Sequence, residues 1–186
     1  TYYTRHTLAL FHVFGANVRL WRIVGPSMSK KFDVGVIVGS IRSGSNSRKL
    51  ANTLVSLAPE NLSLSFIEIG DLPLYNPDLE ADAPAAWVNF RKQLQAAQAF
   101  IVITPEHNRS MSAALKNAID IGSRPYGQSG FSGKPAAVAS NSPGALGGYG
   151  ANHHVRQSLG LLDAHILSQP DLYLSHIGNL VGENEV

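Results

Sequence analysis

The chain contains no cysteine, so disulfides, thiolate metal sites and cysteine nucleophiles are all excluded. A reducing, cytoplasmic setting is compatible with that. Charge is scarce as well: Asp, Glu, Lys and Arg make up 15% of the 186 residues, where about a quarter is usual. Nor does the charge gather into a basic face. Residues 1–27 hold Arg5, Arg19 and Arg22 and no acid, which leaves 12 of the 15 basic residues against all 13 acids in 28–186. The near-neutral remainder argues against a nucleic-acid partner. No apolar run is long enough to form a bilayer-spanning helix, so no membrane partner is expected.

Glycine and proline, by contrast, are plentiful at 17 and 10, beside a hydrophobic content of 44%. That composition suits one α/β domain with buried strands, a sizeable core and functional loops. The first segment has no clear helical or alternating period and ends at Gly25-Pro26-Ser27. It reads as a leader or a cloning-derived segment, with an organelle transit peptide as the alternative. The folded domain is assigned to 28–186.

From Lys31 onward strands and helices alternate. DVGVIVGS (33–40) and AFIVITP (99–105) read as buried strands, KPAAVASNS (134–142) as a fourth strand, and LSLSFIEI (62–69) opens with the period-two alternation of a half-buried strand. AHILSQPDLYLS carries the fifth. Helices are expected over 47–58, 85–97, 112–123 and 151–162, with Leu50, Leu54 and Leu57 on one face of the first and Trp87, Phe90 and Leu94 on one face of the second. Alternation with short connections means parallel pairing and right-handed crossovers. Five strands favour a flavodoxin-like three-layer sandwich with sheet order 2-1-3-4-5 over a six-stranded dinucleotide-binding sheet. Ligands in such sheets bind at the carboxyl ends of the strands, beside the switch between strands 1 and 3. The chain stops at Val186 where a fifth covering helix is expected, so either that helix is missing or the sheet is covered from elsewhere.

The loop GSIRSGSNS (39–47) lies at that switch. It has no Gly-Lys-Ser/Thr, which disfavours a metal-bound triphosphate. It has no G-x-G-x-x-G either, which disfavours a dinucleotide pyrophosphate. It offers the Ser40, Ser43, Ser45 and Ser47 hydroxyls, amides at a helix N-terminus and one fixed cation, Arg42. Those parts suit a phosphate monoester held without metal, a mononucleotide above all. The simpler alternative is a helix capped by Ser45 or Asn46 with Arg42 as a solvated loop charge. The two readings are compatible, because both use the same free amides.

Three stretches, GSIRSGSNSRKLA, TPEHNRSMSAALKNAID and SNSPGALGGYGANHHVRQSLGLLDA, resemble the signature loops of the NADPH-dependent FMN reductase family of quinone, chromate and azo-dye reductases. The likeness runs in order from about residue 32 to 175. It implies FMN, NADPH or NADH as hydride donor, a quinone-like acceptor, and a homodimer or homotetramer. By position, it implies that Ser40, Arg42, Ser45 and Ser47 hold the phosphate. Pro105, Glu106, His107, Asn108 and Ser110 would meet the ring and ribityl chain. Ser140, Ser142, Gly144, Gly147 and Gly148 would border the ring's other edge, the glycines sparing it Cβ atoms. Ser47 stands where many relatives carry Asn, His107 at a common Tyr, and Arg109 at a position often aromatic.

Flavin chemistry needs no side-chain nucleophile, which fits the lack of a compact acid–base group; no catalytic side chain and no metal are assigned. The Gly-rich loop running into a helix offers amides against negative charge on the ring. Glu106 is read as structural or as a subunit contact before it is read as a base. Arg109 and Arg124 are weighed as ligands of a dinucleotide's extra phosphate against plain surface charges, His153-His154 as metal ligands against none, and Asp120 as a local partner. Trp87 and Phe90 are core or interface anchors; helix 85–97 and the 124–131 connection are the candidate subunit contacts. A flavodoxin-like electron carrier without its own turnover is the alternative function. Carriers of that kind are strongly acidic, and 28–186 is not.

Overall fold

The computed structural model describes residues 31–181; the leader assigned to 1–27 lies outside them. The first strand, β1 (Phe32–Val38), is buried from Val34 to Val38. It lies in mid-sheet between β2 (Leu62–Phe66) and β3 (Ala99–Pro105), parallel to both. β3 pairs in turn with β4 (Pro135–Asn141). Strands enclosed on both faces can be apolar at every position, which is why three of these runs show no polar alternation. Side chains of β1 alternate between two cores. Val34, Val36 and Val38 meet Leu50, Ala51 and Leu54 of α1 (Asn46–Ser56). Ile37 joins the core under α2 (Ala85–Ala96), α3 (Ala113–Gly122) and α4 (Tyr149–Leu161). The sheet order is β2-β1-β3-β4-β5 with helices on both faces, the expected three-layer arrangement.

The fifth position differs from the single strand expected there. It is filled by two short pieces, β5 (His165–Ile166) and β6 (Leu172–Leu174), each parallel to β4 at a different register. Pro170 lies between them and has no N–H to give a ladder, so the edge is interrupted there. β2 is also shorter than the alternating run. It ends at Phe66, although Ile67 N still donates to Val36 O at 2.9 Å. Ile67 and Ile69 remain buried beyond it.

Trp87 and Phe90 are 0% and 1% exposed. They belong to the subunit's own core, so α2 cannot present them to a partner. The Trp87 indole N–H is satisfied by Pro73 O at 3.0 Å, and its ring stacks on Tyr75. That fastens the Pro-rich segment after β2, which contains one short 3-10 turn (Pro77–Asp82) capped by Asn76.

Candidate functional site

Parallel pairing brings the loops after β1, β3 and β4 to one edge of the sheet, and hydrogen bonds tie them together pairwise. Ser112 Oγ, after β3, donates to Gly39 O, after β1. Asn141, the last residue of β4, donates Nδ2–H to Ser47 Oγ at 2.8 Å. Glu106, after β3, accepts from Gly150 N at 2.8 Å and from Ala151 N at 3.3 Å, in the first turn of α4. The three loops form one mechanical unit.

In the first loop Ser45 caps α1, its Oγ accepting from Arg48 N at 3.1 Å. The capping reading therefore holds, and it leaves the amides of Asn46 and Ser47 without intrahelical acceptors. Ser47 is buried and Ser40 half-buried. Arg42 is exposed and has no hydrogen-bond or ion-pair partner among the described residues. Its guanidinium lies over Gly44, where an added Cβ would sit 3.3 Å from Nη2. Residues 39–47 contain no acid. This loop offers donors, and no carboxylate of its own answers them.

In the second loop His107 and Ser110 exchange backbone bonds of 2.9 Å in both directions. Asn108 and Arg109 between them have φ of 50° and 65°, the left-handed pair of a two-residue primed turn. The conformation suits Asn better than Arg, and Arg109 Nη1 pairs with Glu106 Oε1 at 3.1 Å. Both Glu106 oxygens are thus committed to the protein, in line with its structural reading. An anion at a helix N-terminus is favourable, but here it also consumes the Gly150 and Ala151 amides at the start of α4. The side chains of His107 and Asn108 are exposed. Ser110 Oγ shares a 2.8 Å hydrogen bond with His154 Nδ1.

In the third loop Ser140 is fully buried and its hydroxyl donates to Gly147 O at 2.8 Å. It braces the loop and does not face a ligand. Ser142 Oγ accepts from Gly144 N at 3.1 Å. Gly147 and Gly148 have φ of 59° and 79°, and a Cβ on Gly147 would come within 2.7 Å of the Tyr173 carbonyl carbon. The fold's own packing requires those two glycines, whereas Gly144 is exposed and a Cβ there would meet only Ser142 Oγ at 3.6 Å. The amides of Ala145 and Leu146 have no acceptor among the described residues.

Sequence reasoning passed over Ser112, Asn141, Gly150 and the buried Asn152, whose Nδ2 reaches Ser140 Oγ at 3.3 Å. It also passed over the rings of Tyr149 and Tyr173, which pack with His153 beside the third loop. Partial burial and the neighbouring Asp171 carboxylate raise the Tyr173 phenol above its ordinary value. Two residues singled out earlier have their partners outside the three loops. Arg124 sits over the Tyr75 ring, and Asp120 pairs with Lys116 at 2.6 Å.

A family model described as NADPH-dependent FMN reductase matches residues 32–179. The chain is similar to a quinone reductase of Pseudomonas putida, 54% identical over 84% of this chain and 85% of the relative. It is also similar to a 2-hydroxy-1,4-benzoquinone reductase of Burkholderia sp, 42% identical over 81% of this chain and 86% of the relative. Among solved structures it resembles FerB, a flavoenzyme NAD(P)H:(acceptor) oxidoreductase from Paracoccus denitrificans. That likeness has a TM-score of 0.74 and 41% identity, covering 77% of this chain and 79% of the other.

Proposed function

This chain belongs to the NADPH-dependent FMN reductase family, and we propose that it reduces quinone-like small molecules at the edge where its three loops meet. Membership makes it an oxidoreductase with FMN as cofactor and NAD(P)H as hydride donor, which sets the electron-carrier alternative aside. The observation that supports the site most directly is the acid-free first loop, rich in donors, with Arg42 unpartnered among the described residues. A phosphate monoester is the ligand such a set answers, so the residues present fit the phosphate end of FMN.

In this reading Ser40, Arg42, Ser45 and Ser47, with the amides of Asn46 and Ser47, hold the phosphate. The backbone of 105–108 with Ser110 borders the ribityl chain and ring from one side. Ser142, Gly144 and the amides of Ala145 and Leu146 border it from the other. When bound, FMN supplies hydride acceptance and donation. The chain's own contribution is position and electrostatics: amide dipoles aimed at a ring edge favour negative charge there without any side chain changing protonation.

Donor and acceptor take turns in one cleft, the acceptor using the space that the nicotinamide leaves. Initial-rate lines at several fixed acceptor concentrations are then parallel, and intersecting lines would overturn the shared cleft. Flavin extracted from the purified protein should be FMN, bleached by NADPH and recoloured by a quinone. Extraction of FAD, or no oxidation of NAD(P)H with any quinone, would overturn the function.

The proposal extends to a cytoplasmic homodimer or homotetramer in which a neighbouring subunit covers the cleft. Tyr126 in the 124–131 connection is 91% exposed and Leu161 at the end of α4 is 86% exposed, and such apolar surface is what a second copy would bury. A monomer by light scattering that keeps full activity would refute the assembly.

A further inference from the structure

Asn141 is 3% exposed at the end of β4, and the one hydrogen bond of its side chain among the described residues runs to Ser47. Ser47 is itself 1% exposed and occupies the second position of α1, in the turn whose amides are free. The direction of the bond matters. Asn141 Nδ2–H points at Ser47 Oγ, so one hydroxyl lone pair is occupied and the hydroxyl proton must point elsewhere. No acceptor among the described residues takes that proton. A buried donor in that condition costs stability until a ligand supplies the acceptor.

We infer that Asn141 is a positioning residue for the phosphate: by occupying the Ser47 oxygen it makes Ser47 an obligate donor toward the first loop, and so couples phosphate binding to the third loop. This rests on the reading of 39–47 as a phosphate site. It assigns a role to a side chain that touches the ligand only through another. The same contact gives the coupling its route, since Asn141 is followed directly by Ser142 and Gly144 of the third loop. Without the amide, Ser47 can rotate and turn its oxygen, in place of its proton, toward the anion. A carboxylate at position 141 would do worse, because it would accept the Ser47 proton and add a like charge beside the phosphate.

The test uses the full chain freed of flavin and titrated separately with FMN and riboflavin, read by flavin fluorescence. Wild type should prefer FMN strongly. Asn141→Ala should weaken FMN by about fivefold to twentyfold, less than a whole hydrogen bond to a charged group because Ser47 keeps its hydroxyl, and leave riboflavin unchanged. Asn141→Asp, which keeps the shape, should weaken FMN further and still spare riboflavin; it also serves if the alanine variant folds poorly. In a Ser47→Ala background, Asn141→Ala should add nothing, because the hydroxyl it orients is gone. Equal loss of FMN and riboflavin, additive losses in the double variant, or an unchanged FMN preference would overturn the inference. A wild type that does not discriminate FMN from riboflavin would instead overturn the phosphate reading itself.

Discussion

Replacing Arg42 by alanine isolates the charge on which the site depends. Arg42 has no partner to lose among the described residues, so the change removes nothing the fold uses. Exposed loop substitutions of that kind shift stability by about 0.5 kcal/mol or less, and the unfolding midpoint of the flavin-free protein should not move. Binding is another matter. A phosphate monoester carries a charge of about −2 near neutrality, and a charge-assisted hydrogen bond to it is worth about 1.5–3 kcal/mol. FMN affinity should therefore fall about tenfold to a hundredfold, as read by quenching of flavin fluorescence on titration into flavin-free protein. Riboflavin shares everything but the phosphate, so its affinity should not change. Raising the salt concentration should weaken FMN binding to wild type more than to the variant, because screening acts on the charge that was removed. Intact FMN affinity, or equal weakening of riboflavin, would show that 39–47 is a helix cap and nothing more.

Other perturbations address the frame around that site. Glu106→Gln keeps one acceptor for the Gly150 amide and removes the charge, so the pH profile of turnover should keep its shape; loss of a titrating limb would reveal a catalytic carboxylate. Glu106→Ala leaves the Gly150 and Ala151 amides bare and should cost about 1 kcal/mol, the scale of a lost helix cap, seen as a lower denaturant midpoint. Gly147→Ala forces a Cβ to within 2.7 Å of the Tyr173 backbone at a φ of 59°; it should lower the unfolding temperature and FMN affinity together, and an unchanged protein would refute the packing argument. Trp87→Ala should cost about 3–5 kcal/mol, as large core truncations do, without changing the oligomeric state of the folded fraction; dissociation at equal stability would return Trp87 to an interface.

Most of the fold was legible because burial has a period. The apolar runs of β1, β3 and β4 and the Leu50–Leu54 and Trp87–Phe90–Leu94 spacings marked each element's place in the layers, and alternation with short connections led to the strand order. Leu57, expected on the face of Leu50 and Leu54, is 51% exposed just past the end of α1. What periodicity reports is burial and not pairing. The run 62–69 opens with alternation that changes phase at Phe66-Ile67, and Ile67 and Ile69 are buried in the other core, yet the ladder stops at Phe66. The fifth strand failed for a related reason, since an apolar pattern on both sides of Pro170 does not show that the edge breaks there. Trp87 and Phe90 were placed on the correct helical face, but a face alone cannot tell a core from an interface.

The site was legible as a list of donors and illegible as a division of labour. Composition showed serines, an arginine and free amides at the switch point, and the structure places them there. It could not show that Asn141 reaches Ser47, that Ser112 reaches Gly39, or that Glu106 takes the Gly150 amide. Those assignments depend on contacts between residues far apart in the chain: 94 positions separate Ser47 from Asn141, 73 separate Gly39 from Ser112 and 44 separate Glu106 from Gly150. Such pairs exist only once the parallel sheet has brought its carboxyl ends together. Asn141 shows the cost most plainly. It lies between two serines that drew notice for their hydroxyls, while the amide between them controls which way a third hydroxyl points. Residue type at a strand end locates a site; which donors remain free for a ligand is decided by neighbours that the order of the chain does not reveal.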